Sequence, residues 1–193
     1  MAPLRRIVGL LCIVTSLVAA IAMVAMMFHI ITDAILRNFF ATSAPGTTEF
    51  VSFYYMVAVT FLPLAYIQAQ RGHVIIEIFT QFLPARTRLV IDGLVALLIA
   101  GAAGYFCYAA TWKAIAMTRA GEFVIGMILV QTWPARWMVV IGMGLLSAVA
   151  LLQAIDRLYA SFSGQSLEQY ESRVADEEYR LASVFERFAR KTT

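Results

Sequence analysis

The stretch IVGLLCIVTSLVAAIAMVAMMFHII, residues 7–31, decides the fold of this chain. It contains no charged side chain, and it exceeds the roughly 20 residues that an α-helix needs to cross the hydrocarbon of a bilayer. Arg5 and Arg6 precede it, as basic residues precede the apolar region of a secretory signal peptide. That region is only about 7–15 residues long, so we interpret this run as a transmembrane helix.

Three more apolar runs of spanning length follow, at approximately residues 49–69, 89–111 and 137–155. The sequence therefore predicts an all-α integral membrane protein with four transmembrane helices. The predicted units are an N-terminal stub at 1–6, a membrane domain at 7–157 and a polar, partly amphipathic tail at 158–193.

The composition indicates that a bilayer is the main solvent. Hydrophobic residues make up 61% of the chain and charged residues only 14%, with a mean hydropathy of +0.78. Soluble domains are about half apolar and about one quarter charged. The net charge of +3 does not indicate nucleic-acid binding, because Lys113 and Lys191 are the only lysines and no basic cluster is interleaved with aromatic residues.

The start of the second span carries capping signals. Residues 43–48 read SAPGTT, a turn-forming stretch, and we expect Thr47 or Thr48 to cap the helix. Glu49 then falls in the first turn, where the positive end of the helix dipole favours a carboxylate. Pro63 lies inside the span, and its missing backbone donor predicts a bend.

Two connections are apolar but too short to cross a membrane. We expect residues 72–83 and 122–130 to lie along the membrane surface, as short interfacial helices. Trp133 and Trp137 follow the second connection, as expected of an aromatic belt at the membrane surface.

The distribution of basic residues predicts the orientation. Six of them lie on the side of the N-terminus and four on the opposite side. The positive-inside rule then places both the N and the C terminus in the cytoplasm. The two sets are Arg5, Arg6, Arg71, Arg86, Arg88 and Arg157 against Arg37, Lys113, Arg119 and Arg136.

The interiors of the predicted spans contain no charged side chain, and the charges that exist lie near their ends. Asp33 and Arg37 stand four residues apart and can pair on one helical face. Glu49 has three interpretations: a carboxylate favoured by the helix dipole, an ionic contact to a partner, or a proton carrier as in small four-helix exporters. Its place at the start of a helix argues against the third, because an exchanger needs its carboxylate deep within the bundle.

No cofactor is predicted. His29 and His73 could suggest a bis-histidine haem, but the topology puts them near opposite faces of a core roughly 30 Å thick. Cys12 and Cys107 are likewise too far apart for a disulfide and lack metal-ligand spacing, so we interpret both as packing residues. The chain has no nucleophile elbow, HExxH or similar motif, and we do not expect an enzyme.

Small residues recur at four-residue intervals in the third span, at Ala96, Ala100 and Gly104, and the fourth span offers Gly144 and Ala148. Such rows let helix backbones approach closely. We expect internal packing, with an external docking seam as the alternative.

One block of motifs resembles a known family. The block consists of Glu49, Phe61-Leu62-Pro63-Leu64-Ala65-Tyr66, Arg71-Gly72-His73-Val74 running into Ile75-Ile76-Glu77, and Leu83-Pro84. It is similar to the small (Q-type, DctQ-like) membrane subunit of the tripartite ATP-independent periplasmic (TRAP) transporters. The resemblance extends from about Arg37 to Arg157 and includes the pair Gly142 and Gly144. The chain departs from the family in Glu122, where members often carry a small polar residue, and in its charged tail beyond Ser163.

The resemblance implies a non-catalytic, partner-dependent role in the bacterial inner membrane. In that family a large membrane subunit holds the sodium and substrate sites, and a periplasmic substrate-binding protein delivers an organic acid such as a C4-dicarboxylate. The small subunit braces the scaffold of the large one. By this resemblance Glu49, Arg71 and His73 are candidate contacts with the large subunit or with lipid headgroups, and no catalytic, substrate-binding or metal residue is implied.

Two other hypotheses stay open. A stand-alone four-helix proton-coupled exporter would use Glu49, and efflux from vesicles containing only this chain would then be lost in Glu49→Gln. A cytochrome membrane anchor would show a Soret band in the purified protein.

Overall fold

The computed structural model describes residues 2–42, 44–70, 85–126 and 128–162. In this part of the chain four helical regions are long and apolar enough to cross a membrane, which confirms the predicted all-α membrane architecture. Three of them are continuous, and the second is built from consecutive segments. Helix 1 is Ala2–Phe40, helix 3 is Ala85–Ala120, helix 4 is Trp133–Phe162, and helix 2 comprises Thr47–Phe50, Val51–Tyr55, Met56–Phe61 and Leu64–Ala69.

Helix 2 is the irregular member of the set. Its segment Val51–Tyr55 is a π-helical turn, in which one extra residue per turn widens the backbone. The helix is interrupted again at Leu62 and Pro63, where the predicted irregularity occurs because proline lacks a backbone N–H. The prediction of a threonine cap is wrong. The cap residue is Gly46, in a left-handed conformation with φ 85°, and the Thr47 hydroxyl instead donates to the Ala44 carbonyl at 3.1 Å.

Three of the helices are longer than a bilayer core requires. The apolar helical stretches of helices 1, 3 and 4 contain 34, 32 and 29 residues, against 23 in helix 2. At 1.5 Å per residue, these three reach about 44–51 Å, whereas the hydrocarbon is about 30 Å thick. Each predicted span lies inside a longer helix, so the helices tilt or continue into the headgroup region.

Helix 4 occupies the centre of the arrangement. Helix 3 packs against it, and so does the second half of helix 2. Helix 1 contacts both helix 2 and helix 4, so helices 1, 2 and 4 form a mutually packed group. Within the described residues helix 3 makes no comparable contact with helices 1 and 2, so it is attached chiefly through helix 4 and the four helices form an open arrangement rather than a closed bundle.

Small residues bring helices 3 and 4 together. Ala96, Ala100 and Ala103 of helix 3 are buried. The Ser147 hydroxyl of helix 4 donates to the Ala100 carbonyl at 2.9 Å, and a Cβ added at Gly104 would lie 3.1 Å from that hydroxyl. The interpretation of these rows as internal packing is confirmed.

Helices 1, 2 and 4 share a second contact region. Cys12, Ala65 and Val149 form a buried cluster, and both cysteines of the chain are free thiols. Further along, helix 4 passes so close to the interrupted part of helix 2 that a Cβ at Gly142 would overlap the Phe61 carbonyl. Only a glycine allows this approach.

The connection between helices 3 and 4 differs from the prediction. It contains two antiparallel strands, β1 (Phe123–Ile125) and β2 (Leu129–Gln131), rather than an interfacial helix. Gly121, with φ 63°, ends helix 3, and Gly126 lies in the turn. The expectation of a helix at 122–130 is therefore wrong, whereas the other predicted interfacial helix, 72–83, lies outside the described residues.

Candidate functional site

The ion pairs and the glutamine pair of the described residues lie at the two ends of the helical arrangement. One end carries the β1–β2 hairpin, and we call it the hairpin end. The other carries the first turns of helix 1 and the last turns of helix 4, and we call it the terminal end.

Glu49 lies at the hairpin end, in the first turn of helix 2 as predicted. Its carboxylate reaches the turn of the hairpin, because a Cβ at Gly126 would overlap the Glu49 side chain. Glycine at 126 therefore leaves the space that the carboxylate occupies. Glu49 ties the start of helix 2 to the hairpin, an intramolecular contact that the sequence did not indicate.

Two further contacts hold the hairpin on helix 2. The Tyr54 hydroxyl, in the π-helical turn, donates to the Gln131 carbonyl in β2. A Cβ at Gly46 would overlap the Ile128 side chain, so the left-handed residue before helix 2 also gives room to the hairpin turn.

An ion pair fastens the base of the hairpin to helix 4. The Arg136 guanidinium donates from Nε to Glu122 Oε2 at 2.6 Å and from its terminal nitrogen to Oε1 at 2.7 Å. This two-bond geometry is the strong form of an arginine–carboxylate contact. The hydrogen bond from Arg136 holds the pKa of the Glu122 carboxyl below its ordinary value. Glu122 therefore has a structural role.

Asp33 performs a similar function at the end of helix 1. It is 8% exposed, and the predicted pair is confirmed, with Arg37 Nε donating to its Oδ2 at 2.8 Å. Its other oxygen accepts the Ala44 backbone N–H, also at 2.8 Å. Asp33 therefore fixes the loop that leads to helix 2, which goes beyond the predicted local pair.

The two histidines are placed differently. His29 packs its ring against Phe50 and Tyr55, with centroids 6.2 and 6.0 Å apart. His73 lies outside the described residues, as does Arg71. Among the residues that the structure does describe, no group of three or more His, Cys, Asp or Glu could hold a metal ion.

The terminal end is tied by amides as well as by charges. Gln68 is 6% exposed, and its side-chain amide donates to Gln153 Oε1 at 2.9 Å, while Gln153 returns a bond to the Gln68 carbonyl at 2.9 Å. Arg5 of helix 1 pairs with Asp156 of helix 4. Arg157 donates to the Asp92 carbonyl of helix 3 at 3.2 Å. Helix 4 is thereby linked to each of the other three helices.

Sequence reasoning missed the glutamine pair and the Glu122–Arg136 pair for identifiable reasons. Gln68 carries no charge, although a glutamine near a span end is also costly to bury without a partner. Arg136 is informative as a topology signal, which does not indicate a partner within the chain. Its nearest acidic residue towards the N-terminus is Glu122, across a connection that contains Gly126, and this spacing is the signal that could have indicated the pair.

The arrangement defines a class of protein before any comparison is made. The ion pairs and the glutamine pair of the described helices connect one element to another at the membrane boundaries, and the interior contacts are made mainly by small and apolar residues. These features define a multi-pass membrane protein whose paired polar side chains hold its own helices and loops together.

The comparison with protein families identifies the particular group. A family model described as "Tripartite ATP-independent periplasmic transporters, DctQ component" matches residues 26–160. The chain belongs to this family, and it is a small membrane component of a TRAP transporter of the inner membrane. Comparison with curated proteins and with solved structures gave no match.

Proposed function

We propose that this chain is the non-catalytic small subunit of a sodium-coupled TRAP transporter and braces the scaffold of the large membrane subunit during organic-acid uptake. A C4-dicarboxylate or a similar acid is the proposed substrate. The proposed partners are the large membrane subunit, which holds the sodium and substrate sites, and a periplasmic substrate-binding protein. Membership in a transporter-component family supports this assignment.

The observation that carries the proposal is the use of the carboxylates. Asp33 fixes a loop, Glu122 and Glu49 hold the hairpin, and Asp156 pairs with the first turns of helix 1. Ion-coupled carriers instead keep polar groups at mid-depth, near broken helices, to bind their substrate. Carboxylates that hold the helices and loops of the chain together are consistent with a bracing role.

The open arrangement of the helices supports the same role. A brace needs a broad lateral surface on which another membrane protein can rest, and helix 3, which is attached chiefly through helix 4, leaves more of that surface uncovered than it would in a closed bundle. A stand-alone exporter needs an enclosed path between its helices, with a carboxylate that is alternately exposed to each side. Glu49, in its contact with Gly126, lies at the start of helix 2 rather than deep within the helices, so the exporter is the less favoured alternative.

The remaining candidate contacts are part of the proposal. We assign Arg71 and His73, which follow helix 2, to polar contacts with the large subunit or with lipid headgroups. Glu49 would contribute by presenting the hairpin to the partner. Both termini and the polar tail at 158–193 are assigned to the cytoplasm, on the basis of the positive-inside count. Reporter fusions at both termini test this orientation.

Reconstitution tests the proposed function. Proteoliposomes with the large subunit, the binding protein and this chain should take up a labelled organic acid when a sodium gradient is applied, and omission of this chain should abolish uptake. Sodium-driven uptake by this chain alone would contradict the proposal. Vesicles that contain only this chain, with Glu49→Gln as the matched variant, test the exporter: efflux that is lost in the variant would favour that alternative.

A further inference from the structure

A regular row of residues lies on the face of helix 3 that points away from helix 4. Its members alternate at four- and three-residue spacings, the pattern of a seam between two packed helices. We call it the helix 3 seam, and it comprises Leu94, Leu98, Gly101, Tyr105, Tyr108 and Trp112. The five side chains are 54–76% exposed, and a Cβ added at Gly101 would meet no atom within 4 Å. Nothing in the described chain covers this face.

The depth of the seam follows from the contacts at the two ends of helix 3. The Asp92 carbonyl accepts a hydrogen bond from Arg157 at one end, and the Thr118 hydroxyl accepts one from the Trp137 indole at the other. Tyr105 is thirteen residues from each of them. At 1.5 Å per residue it lies about 20 Å from either boundary, close to the middle of the hydrocarbon.

A tyrosine that faces lipid is unfavourable at this depth. Tyrosine and tryptophan favour the membrane surface, where the polar tip meets water, and Tyr159 and Trp137 near helix ends follow that rule. Tyr105 is 76% exposed, and its hydroxyl has no hydrogen-bond partner within the described part of the chain. Helical side chains lean towards the N-terminus of their helix, so Tyr108 also points towards mid-depth rather than to the nearer surface. A hydroxyl left unpaired in hydrocarbon is costly.

Helix 1 provides the contrast. Its exposed face at a comparable depth carries an open concavity lined only by apolar side chains, those of Ala20, Ile21, Val24, Ala25 and Phe28. Lipid chains satisfy such a face without further partners. Both faces are exposed, and the helix 3 seam therefore differs from the exposed face of helix 1 in carrying a polar group near the middle of the membrane.

We propose that the helix 3 seam is the surface on which a transmembrane helix of the large TRAP subunit docks, an inference that rests on the proposed function. The occupant offers a hydrogen-bond acceptor opposite the Tyr105 hydroxyl and a bulky apolar side chain opposite Gly101. The seam runs from residue 94 to residue 112, roughly 27 Å along the axis, so one partner helix can be followed through most of the core. This length and the phenol at its centre favour a membrane helix over a soluble partner.

Photo-cross-linking in the co-expressed transporter tests the proposal. In one variant the photoreactive residue p-benzoylphenylalanine replaces Leu98, which lies on the seam and is 72% exposed. In the matched control it replaces Ile21, which lies on helix 1 and is 61% exposed. We expect irradiation to join this chain to the large subunit from position 98 but not from position 21.

In the same cells, Tyr105→Phe should weaken retention of the large subunit roughly fivefold, the effect of one lost hydrogen bond, and Tyr159→Phe should not. Gly101→Leu should abolish retention while leaving the isolated chain folded, because the position opens onto free space.

Each outcome decides the proposal. Cross-linking from position 98 and weakened retention in Tyr105→Phe support it. Cross-links from 98 to a second copy of this chain or to lipid alone, or cross-links to the large subunit from position 21 only, overturn it while leaving the proposed function intact, provided that the large subunit still co-purifies. Failure of the large subunit to co-purify with the unmodified chain overturns both.

Discussion

Gly142→Ala is expected to destabilise the fold, whereas Gly144→Ala two residues further along the same helix is not. A Cβ at position 142 would overlap the Phe61 carbonyl, which is backbone and cannot rotate away. A Cβ at position 144 would lie 3.4 Å from the Cys107 sulfur, an ordinary van der Waals contact. The two substitutions thus differ in what the methyl group meets, not in their chemistry.

The magnitude follows from two opposing terms. Alanine gains about 1 kcal/mol over glycine in helix propensity at either position, so this term cancels between the two variants. Overpacking a well-packed contact costs about 1–3 kcal/mol, and a clash with backbone lies at the upper end. We expect Gly142→Ala to be about 3 kcal/mol less stable than Gly144→Ala. For a chain of this size that corresponds to about 6–12 °C in Tm.

Thermal unfolding of the isolated subunit in a mild detergent measures this difference. Both variants should be purified with the same tag and lipid, with the unmodified chain as reference. Equal melting temperatures for the two variants would refute the close approach of helix 4 to the interrupted part of helix 2. Leu62 and Pro63 would then not mark a contact between these helices.

Three further predictions concern the polar ties. Glu122→Gln should lower Tm at pH 7 by the equivalent of about 1 kcal/mol and should weaken the fall of Tm at acid pH. Because the Glu122 pKa is lowered in the fold, its stabilisation is present above the ordinary carboxyl pKa and is lost as pH falls through the lowered value. A series of thermal melts from pH 7 to pH 3 checks the sign. Gln153→Leu should cost about 1–3 kcal/mol in the same assay because it removes both hydrogen bonds between Gln153 and the buried Gln68, and Gln68→Leu combined with Gln153→Leu should recover most of that loss. Asp33→Ala should speed hydrogen exchange at the Ala44 amide, whereas Arg37→Ala, which removes a side chain 60% exposed, should leave it unchanged.

Hydropathy was sufficient to predict the membrane helices, because each span buries its backbone hydrogen bonds internally and must be apolar for about 20 residues. The same measure failed between helices 3 and 4. Phe123, Val124 and Ile125 are all apolar, so the two-residue period of a strand is hidden. The glycines at 121 and 126, which bracket a short segment ending in the β-branched pair Val124 and Ile125, were the available signal for a hairpin.

The candidate site was predictable only where it was local. Glu49 in the first turn of its helix and the Asp33–Arg37 pair follow from spacing within one helix. The contact of Glu49 with Gly126 joins residues far apart in the sequence, and no periodicity within either segment indicates it. Long-range ties of this kind depend on how the helices pack, which a single sequence does not encode in a form that can be read locally.

The central place of helix 4 has a consequence for how the chain is made. Helix 3 packs chiefly against helix 4, so it must wait in the membrane until the last span leaves the insertion machinery, and until then the second half of helix 2 has only its contacts with helix 1. The Arg5–Asp156 pair closes a separation of 151 residues and forms only at that final stage. A nascent chain that stalls before Trp133 would therefore hold three inserted helices without their common neighbour, a state that membrane quality-control proteases could recognise.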